Sequence, residues 1–380
     1  MKHSFTLLGA ITMLAVTIPT VTSAADDDDT YEQRRELSNL LKTMRKVRRK
    51  LPIPVPAGLF GIYAFPEKGQ GVAGINFQHY EFSGLIQGSD SISAPAAVTS
   101  VPNRFFGNPG QPPTLRVVPT KAKADVIYPF ANFAINNQAA LVALVPLIRK
   151  QTELETFSGG GGATSLGTNT VKSEGLGDIK FGAIFRAFNG ENNKHNLIID
   201  TVLSAPTGSI TEEDYQLTPA NTKIKARLAY GMQLGSGTWD ALLGASYWGK
   251  DDLWGWGAQY LATIPLESKN REGWRYGDKH ELTTWISYEW DATLVTSARL
   301  RGETQGSIHG IDPKIYGPGL GADPDNYGGE KVEFSLGLNW MVATANNISL
   351  EISKPIYQNR NGIQAEQDFS IFFSWRTGFF

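Results

Sequence analysis

The chain of 380 residues contains no cysteine, only five histidines, and, beyond its N-terminal stretch, no unbroken apolar run of about 18 residues. Without cysteine there is no disulfide framework, so stability must come from strand pairing. Without a long apolar run there is no membrane-crossing helix, and a membrane protein of this composition would have to be a barrel, whose alternating strands hide their apolar face from window averages. The formal net charge of −2 gives no broad basic field, and no nucleic-acid partner is expected. Phosphate-cradling loops are missing as well: Gly159 to Gly162 is not followed by Gly-Lys-Ser/Thr, and Gly235-Ser236-Gly237 lacks the five-residue pattern of a nucleophile elbow.

Glycine and aromatic residues are plentiful, at 40 glycines and 11% Phe, Trp and Tyr, while the mean hydropathy is −0.22. Their arrangement has a period of two. Phe369, Ile371, Phe373 and Trp375 share one face of an extended segment, Asp368, Ser370, Ser374 and Arg376 fall on the other, and Phe372 alone breaks the pattern. Bacterial outer-membrane barrels characteristically close on such a strand with an aromatic end, here Phe379-Phe380, which the barrel assembly machinery reads. Val332, Phe334, Leu336, Leu338 and Trp340 oppose Glu333, Ser335, Gly337 and Asn339 in the same way, and Val295, Ser297, Arg299, Arg301 and Glu303 oppose Leu294, Thr296, Ala298 and Leu300.

The N-terminus reads as a secretory signal over residues 1–25, with Lys2 and His3 ahead of a short apolar run and Thr-Ser-Ala-Ala at the cleavage site. Residues 26–70 are expected on the periplasmic side. Asp26 to Asp29 are acidic, Arg34 to Lys50 basic, and Leu37, Leu40, Met44, Val47 and Leu51 keep a three-four spacing after a Thr30/Gln33 capping box, which predicts a short amphipathic helix followed by a proline-rich connector. A two-heptad seam associating three copies into a homo-oligomer is the alternative use of that helix. The barrel is expected over 71–380.

Strands are expected near 71–86, 115–133, 140–156, 176–188, 196–205, 239–247, 254–266, 281–290, 294–304, 332–341, 348–352 and 367–380, with loops at 89–113 and 157–170. Ile224 to Leu234 alternates too and would make thirteen, whereas bacterial barrels need an even number, short periplasmic turns and long external loops. Treating 206–237 as one external excursion satisfies all three conditions. The expected fold is therefore all-β, a transmembrane antiparallel barrel of twelve strands, with fourteen as the alternative if one strand of the first third is unrecognised.

The segments Ser-Glu-Gly-Leu-Gly-Asp-Ile-Lys-Phe-Gly at 173–182, Leu-Ser-Ala-Pro-Thr-Gly-Ser at 203–209, Gly-Ser-Gly-Thr-Trp-Asp at 235–240 and Lys-Pro-Ile-Tyr-Gln-Asn at 354–359 resemble the outer-membrane transporters named for the MetA pathway of phenol degradation. The resemblance spans about residues 71–380. It implies a barrel that passes small, hydrophobic or aromatic solutes across the outer membrane, with outer-membrane lipid around it, and no enzyme.

The polar phase places Lys123, Asp125, Asp178, Lys180, Arg186, Asp200, Asp240, Glu289, Arg299, Arg301, Glu303, Glu333, Glu351, Asp368 and Arg376 on the lumen side. Charges of both signs in a dry core cost several kcal/mol each unless paired, so the lumen is either a watery translocation path or an ion-pair lattice. Glu303, Glu333 and Glu289 are the expected screens for the arginine pair. A structural or adhesive barrel and an outer-membrane hydrolase are the competing classes. The hydrolase has weak candidates, since His195 and His280 sit at strand starts, His309 lies in a loop and only His79 is left. No cofactor or metal is expected: Asp323, Asp325, Asn326 and Glu330 form an oxygen-rich loop, but without EF-hand spacing.

Overall fold

The computed structural model describes residue 35, residues 55–60, 65–190, 194–343 and 345–379. The chain divides into two compact units, Met1–Leu51 and Pro52–Phe380. In the first, only Arg35 is described, in helical conformation, so the expected signal and nearly all of the amphipathic helix lie outside the described residues.

The second unit is built from strands. In chain order they are β1 (Gly71–Gly88), β2 (Asp90–Ile92), β3 (Val117–Ala134), β4 (Ala139–Leu144), β5 (Leu147–Phe157) and β6 (Ser165–Leu176). There follow β7 (Lys180–Asn189), β8 (His195–Ser204), β9 (Glu213–Leu217), β10 (Lys223–Arg227), β11 (Asp240–Asp251) and β12 (Trp254–Pro265). The series ends with β13 (Trp274–Arg275), β14 (Lys279–Glu289), β15 (Leu294–Gln305), β16 (His309–Gly310), β17 (Gly329–Ala343) and β18 (Asn346–Phe379). One antiparallel sheet runs β1-β18-β17-β15-β14-β12-β11-β8-β7-β4-β3 and closes where β3 pairs back onto β1.

The wall crosses twelve times. β4 and β5 form one crossing, interrupted at Pro146, which has no N–H for the ladder, and β6 and β7 form the next. β18 supplies two: residues 346–360 pair antiparallel with β17 and residues 363–379 pair antiparallel with β1, so the chain reverses at Gly362, whose φ of +58° suits a tight turn. β1, β3, β8, β11, β12, β14, β15 and β17 are the other eight. The expected twelve crossings are present, and β9–β10 stands apart as a separate two-stranded hairpin within the 206–237 excursion. Two local readings change. The expected 89–113 loop contains β2 and a helix, Ala94–Ser100, whose N-cap Ser93 accepts from Ala96 N, and the last six residues of the expected 157–170 loop, 165–170, belong to β6.

The two faces of the wall differ as the alternation requires. Leu282, Ile286, Leu300, Leu336, Leu338 and Ile352 are exposed on the outside, with Trp254, Trp290, Trp340 and Trp375 toward the short-turn end and Trp239 and Tyr260 toward the other, a pair of aromatic girdles flanking an apolar band. Glu333, Ser335, Asn339, Ser349 and Glu351 are buried on the inside. By the same rule of short periplasmic turns, the end bearing the long connections is external.

The inside is not empty. Val55 and Leu59 belong to one apolar cluster with Val142, Ile184, Ile198, Val202 and Leu242 of the inner wall, and Phe60 and Phe65 pack against it. This part of the proline-rich stretch, expected outside the wall as a connector, threads the barrel instead, because its apolar side chains find no other cover. Its backbone is held too: Asn339 donates to Val55 O at 3.2 Å, and Arg186 donates to Phe65 O at 3.1 Å while its guanidinium sits 4.2 Å above the Phe65 ring.

Candidate functional site

At the external end the long connections fold over the mouth and share a core of Ile210, Tyr230, Trp274, Ile308, Ile315 and Ala322. Buried Arg227 donates to Asp312 at 2.9 Å and pairs with Glu272 at 3.4 Å, and Asp312 N donates to the Tyr230 hydroxyl at 3.0 Å. Burial pushes the Tyr230 hydroxyl up to about 12 and raises those of Tyr276 and Tyr327 as well, the mark of a dry interior.

This cap is fastened to the wall at several points, and three of the four segments that carry the family resemblance meet at one of them. Asp178, in the break between β6 and β7, accepts Gly208 N at 2.8 Å and Ser236 N at 2.7 Å. Thr207 donates to Gly177 O at 2.8 Å, Ile179 N donates to Thr207 at 2.9 Å, and Thr238 donates to Asp240 at 2.6 Å. A Cβ on Gly208 would lie 2.7 Å from the Gly235 Cα, and one on Gly235 would lie 2.5 Å from Asp178 Oδ1, so both positions require glycine. Ser236 donates its hydroxyl to Thr238 O at 3.0 Å. The Gly-Ser-Gly segment thus works as a turn.

From that node residues 228–234 turn inward along the inner faces of β5 and β6. Leu228 and Met232 pack on Val171 and Leu154, Ser173 donates to Met232 O at 2.6 Å, and Lys150 Nζ donates to Gly231 O at 2.9 Å and Gln233 O at 2.6 Å. Beside them lies a cavity of about 1170 Å³, bordered by Phe82, Ala122, Leu154, Val171, Met232 and Leu320, with the Lys150 ammonium at its edge. The edge of β6 that lacks a wall neighbour is bridged by side chains to β9: Asn169 donates to Tyr215 O at 3.0 Å and Lys172 N donates to Asp214 at 2.9 Å.

Elsewhere on the inner wall the charged residues form pairs. Arg301 binds Glu333 and, at 3.0 Å, Glu281, with Glu303 at 3.8 Å. Lys279 lies 3.3 Å from both Glu281 and Glu303, and Lys331 lies 3.4 Å from Glu333, so three bases meet three acids. Arg299 binds Glu351, and Glu289 pairs with Lys250 rather than screening the arginines as expected. Gly58 of the threaded segment rests on the Arg299–Glu351 pair, where a Cβ would come within 2.7 Å of Glu351. Lys180 donates to Asp178 O at 3.3 Å, and Arg376 donates to Asn347 at 3.0 Å. Asp200 is fully buried, and neither of its carboxylate oxygens has a hydrogen-bond partner among the described residues.

Three expected lumen residues lie elsewhere. On β3, Phe130, Asn132 and Ala134 are buried while Ile127 and Phe133 are exposed, so Lys123 and Asp125 share the outward phase, and Asp125 accepts His79 at 2.7 Å outside the wall, with the Phe369 ring 6.1 Å from the imidazole. Asp368 is displaced by a bulge: Glu81 pairs with Phe369 and Phe82 with Gln367, which leaves Asp368 unpaired in the ladder and puts Gln367 on the inside, 2.8 Å from Lys331 and from Glu333. In the oxygen-rich loop, Asp323 and Asp325 accept Arg104 at 2.8 and 2.6 Å, and Asn326 bonds Leu320 O and Ile363 N.

No family model and no curated protein matches the chain. Among solved structures it is similar to the COG4313 outer membrane channel from Pseudomonas putida F1, at 14% identity and a TM-score of 0.53 over 84% of this chain and 98% of that one. A Pseudomonas aeruginosa FadL homologue (11% identity, TM-score 0.41) and the P. putida toluene transporter TodX (10%, 0.40) each match over 83% of this chain and 91% of theirs. Only the first exceeds one half in TM-score, and at its level of identity it speaks to the fold alone. The fold is that of an outer-membrane barrel.

Proposed function

We propose that this chain is an outer-membrane channel for small apolar or aromatic compounds. The observation that carries the reading is the chamber of about 1170 Å³, lined mainly by apolar surface and set between the external cap and the inner face of the barrel. An apolar solute gains roughly 25 cal/mol per Å² of surface it hides there, while water gains little from such walls. From the chamber the path follows the charged inner face around Arg301, Glu303 and Glu333, past Arg299 and Glu351, to the segment 55–60 that fills the lower lumen. The likeness to a solved outer membrane channel and the motif resemblance to the MetA-pathway transporters agree with this, and the convergence of three of those four motifs on Asp178 gives them a common task in fixing the chamber roof. The partners are membrane lipid at the outer band, the assembly machinery at the last strand, and the solute.

A barrel without conduction is the second reading, favoured by the threaded segment and by the balanced charges. Planar-bilayer recording of the purified protein with and without an aromatic solute decides between them. Solute-dependent conductance, or solute entry into proteoliposomes, supports the channel; a silent bilayer together with impermeable proteoliposomes refutes it.

A further inference from the structure

Lys150 stands out among the charged groups bordering the chamber. It enters no ion pair among the described residues, and its ammonium is held instead by two backbone carbonyls, Gly231 O at 2.9 Å and Gln233 O at 2.6 Å. Of the other basic residues that border the chamber, Arg227 is matched by Asp312 at 2.9 Å and Lys314 by Glu272 at 3.6 Å, while Lys123 is exposed in the outward phase of β3. Asp178, the acid at the base of the same excursion, has both oxygens occupied by Gly208 N and Ser236 N. Of the inner-wall acids, Glu281, Glu303 and Glu333 are matched to Lys279, Arg301 and Lys331.

An ammonium has three donors, and carbonyl dipoles answer only part of its charge. Thr152, Leu154, Val171 and Met232 line the same chamber, and the residues bordering it include no carboxylate. A partly desolvated cation against apolar surface is unfavourable until an anion completes its shell, and the charge-assisted bond that does so is about twice as strong as a neutral one.

We infer that Lys150 makes the chamber selective for anionic compounds with an apolar body, aryl or alkyl carboxylates, over the corresponding neutral compounds. The apolar part lies against Leu154, Val171 and Met232, and the carboxylate takes the free donor of the ammonium. This rests on the chamber being the solute site of the channel proposed above, and it goes further by assigning the chemical class of the solute and the residue that selects it.

The test is equilibrium binding of two probes of nearly equal shape, 4-butylbenzoate and 4-butylbenzyl alcohol, to the purified barrel, with heat-modifiable electrophoretic mobility confirming that each variant is folded. The carboxylate should bind about tenfold or more tightly than the alcohol, the scale of one charge-assisted hydrogen bond. Lys150→Met should abolish that preference, read as the ratio of carboxylate to alcohol affinity within each variant, and Lys150→Arg should retain it. If both probes bind equally to the native protein, or if Lys150→Met keeps the preference, the selectivity is refuted and the apolar chamber stands. If neither probe binds, the chamber is not a solute site, and both readings fall.

Discussion

The carboxylate of Asp178 accepts the backbone N–H of Ser236 at 2.7 Å, and so pins the far end of a long external excursion to the point where β6 gives way to β7. Its second oxygen holds the near end through Gly208. Asp178→Asn turns an acceptor into a donor facing an N–H, and should cost about 1.5–3 kcal/mol, the range for a hydrogen bond to a charged group. Limited proteolysis should then cut within 206–237 in folded barrels, and unchanged resistance would show that the cap is held elsewhere.

Gly235→Ala forces a Cβ to within 2.5 Å of Asp178 Oδ1 and 2.8 Å of Gly208 O, and backbone on one side cannot yield as a flexible side chain would. The expected outcome is the same loosened excursion as in Asp178→Asn, with non-additive effects in the double variant because both changes strike one node. Thermal melts of the two single variants and the double variant measure this.

For the lower lumen, Phe65→Ala removes a ring that packs on the Val142–Ile184–Ile198 cluster and carries the Arg186 guanidinium. Since the ring is only partly buried, the loss should be about 2 kcal/mol, below the 3–5 kcal/mol of a fully buried phenylalanine. Single-channel current should rise as the threaded segment loosens. A current equal to that of the native protein would mean that the segment does not limit flow.

Arg301→Gln leaves Glu281, Glu303 and Glu333 facing only Lys279 and Lys331. Removing one partner of a buried charge set costs about 3–5 kcal/mol, so the barrel should lose thermal stability and its reversal potential should move toward cations. Stability without a shift in selectivity would remove the inner arginine from the solute path.

The cap should show an alkaline limit. Tyr230 has an ordinary value of 10.0 that burial pushes up to about 12, and Tyr276 and Tyr327 shift the same way. Because the folded value exceeds the unfolded one, the stabilisation is complete below pH 10 and is lost as the pH rises through about 12. A phenolate absorbance titration should therefore contain a late fraction that coincides with loss of protease resistance in the loops. Complete ionisation near the ordinary value would contradict the dry core.

Much of the wall is legible in the sequence because a half-lipid, half-lumen strand must alternate: Phe334, Leu336 and Trp340 are exposed where Glu333, Ser335 and Asn339 are buried. Parity and loop length then separate β9–β10 from the wall despite its convincing alternation. Lys123 and Asp125 mislead because, near a girdle, outward positions turn polar too and the phase of a strand can no longer be read from charge. The threaded segment has prolines and no period, so nothing local marks it as interior. The chamber is less legible still, since Lys150 and Val171 lie on two paired strands while Met232 lies on an excursion far along the chain, brought against them by side-chain bonds to its backbone.

The threaded segment also has a mechanical consequence. β7 and β17 are six crossings apart in a ring of twelve, and so face each other across the bore. Phe65 O is tied to Arg186 on β7 and Val55 O to Asn339 on β17. A hollow tube in a bilayer resists bending along its strands but flattens easily under lateral pressure, because flattening only changes the angle between neighbouring strands. A chain tied to opposite walls acts as a spoke against that flattening, so whatever displaces it to widen the bore also makes the tube more compliant.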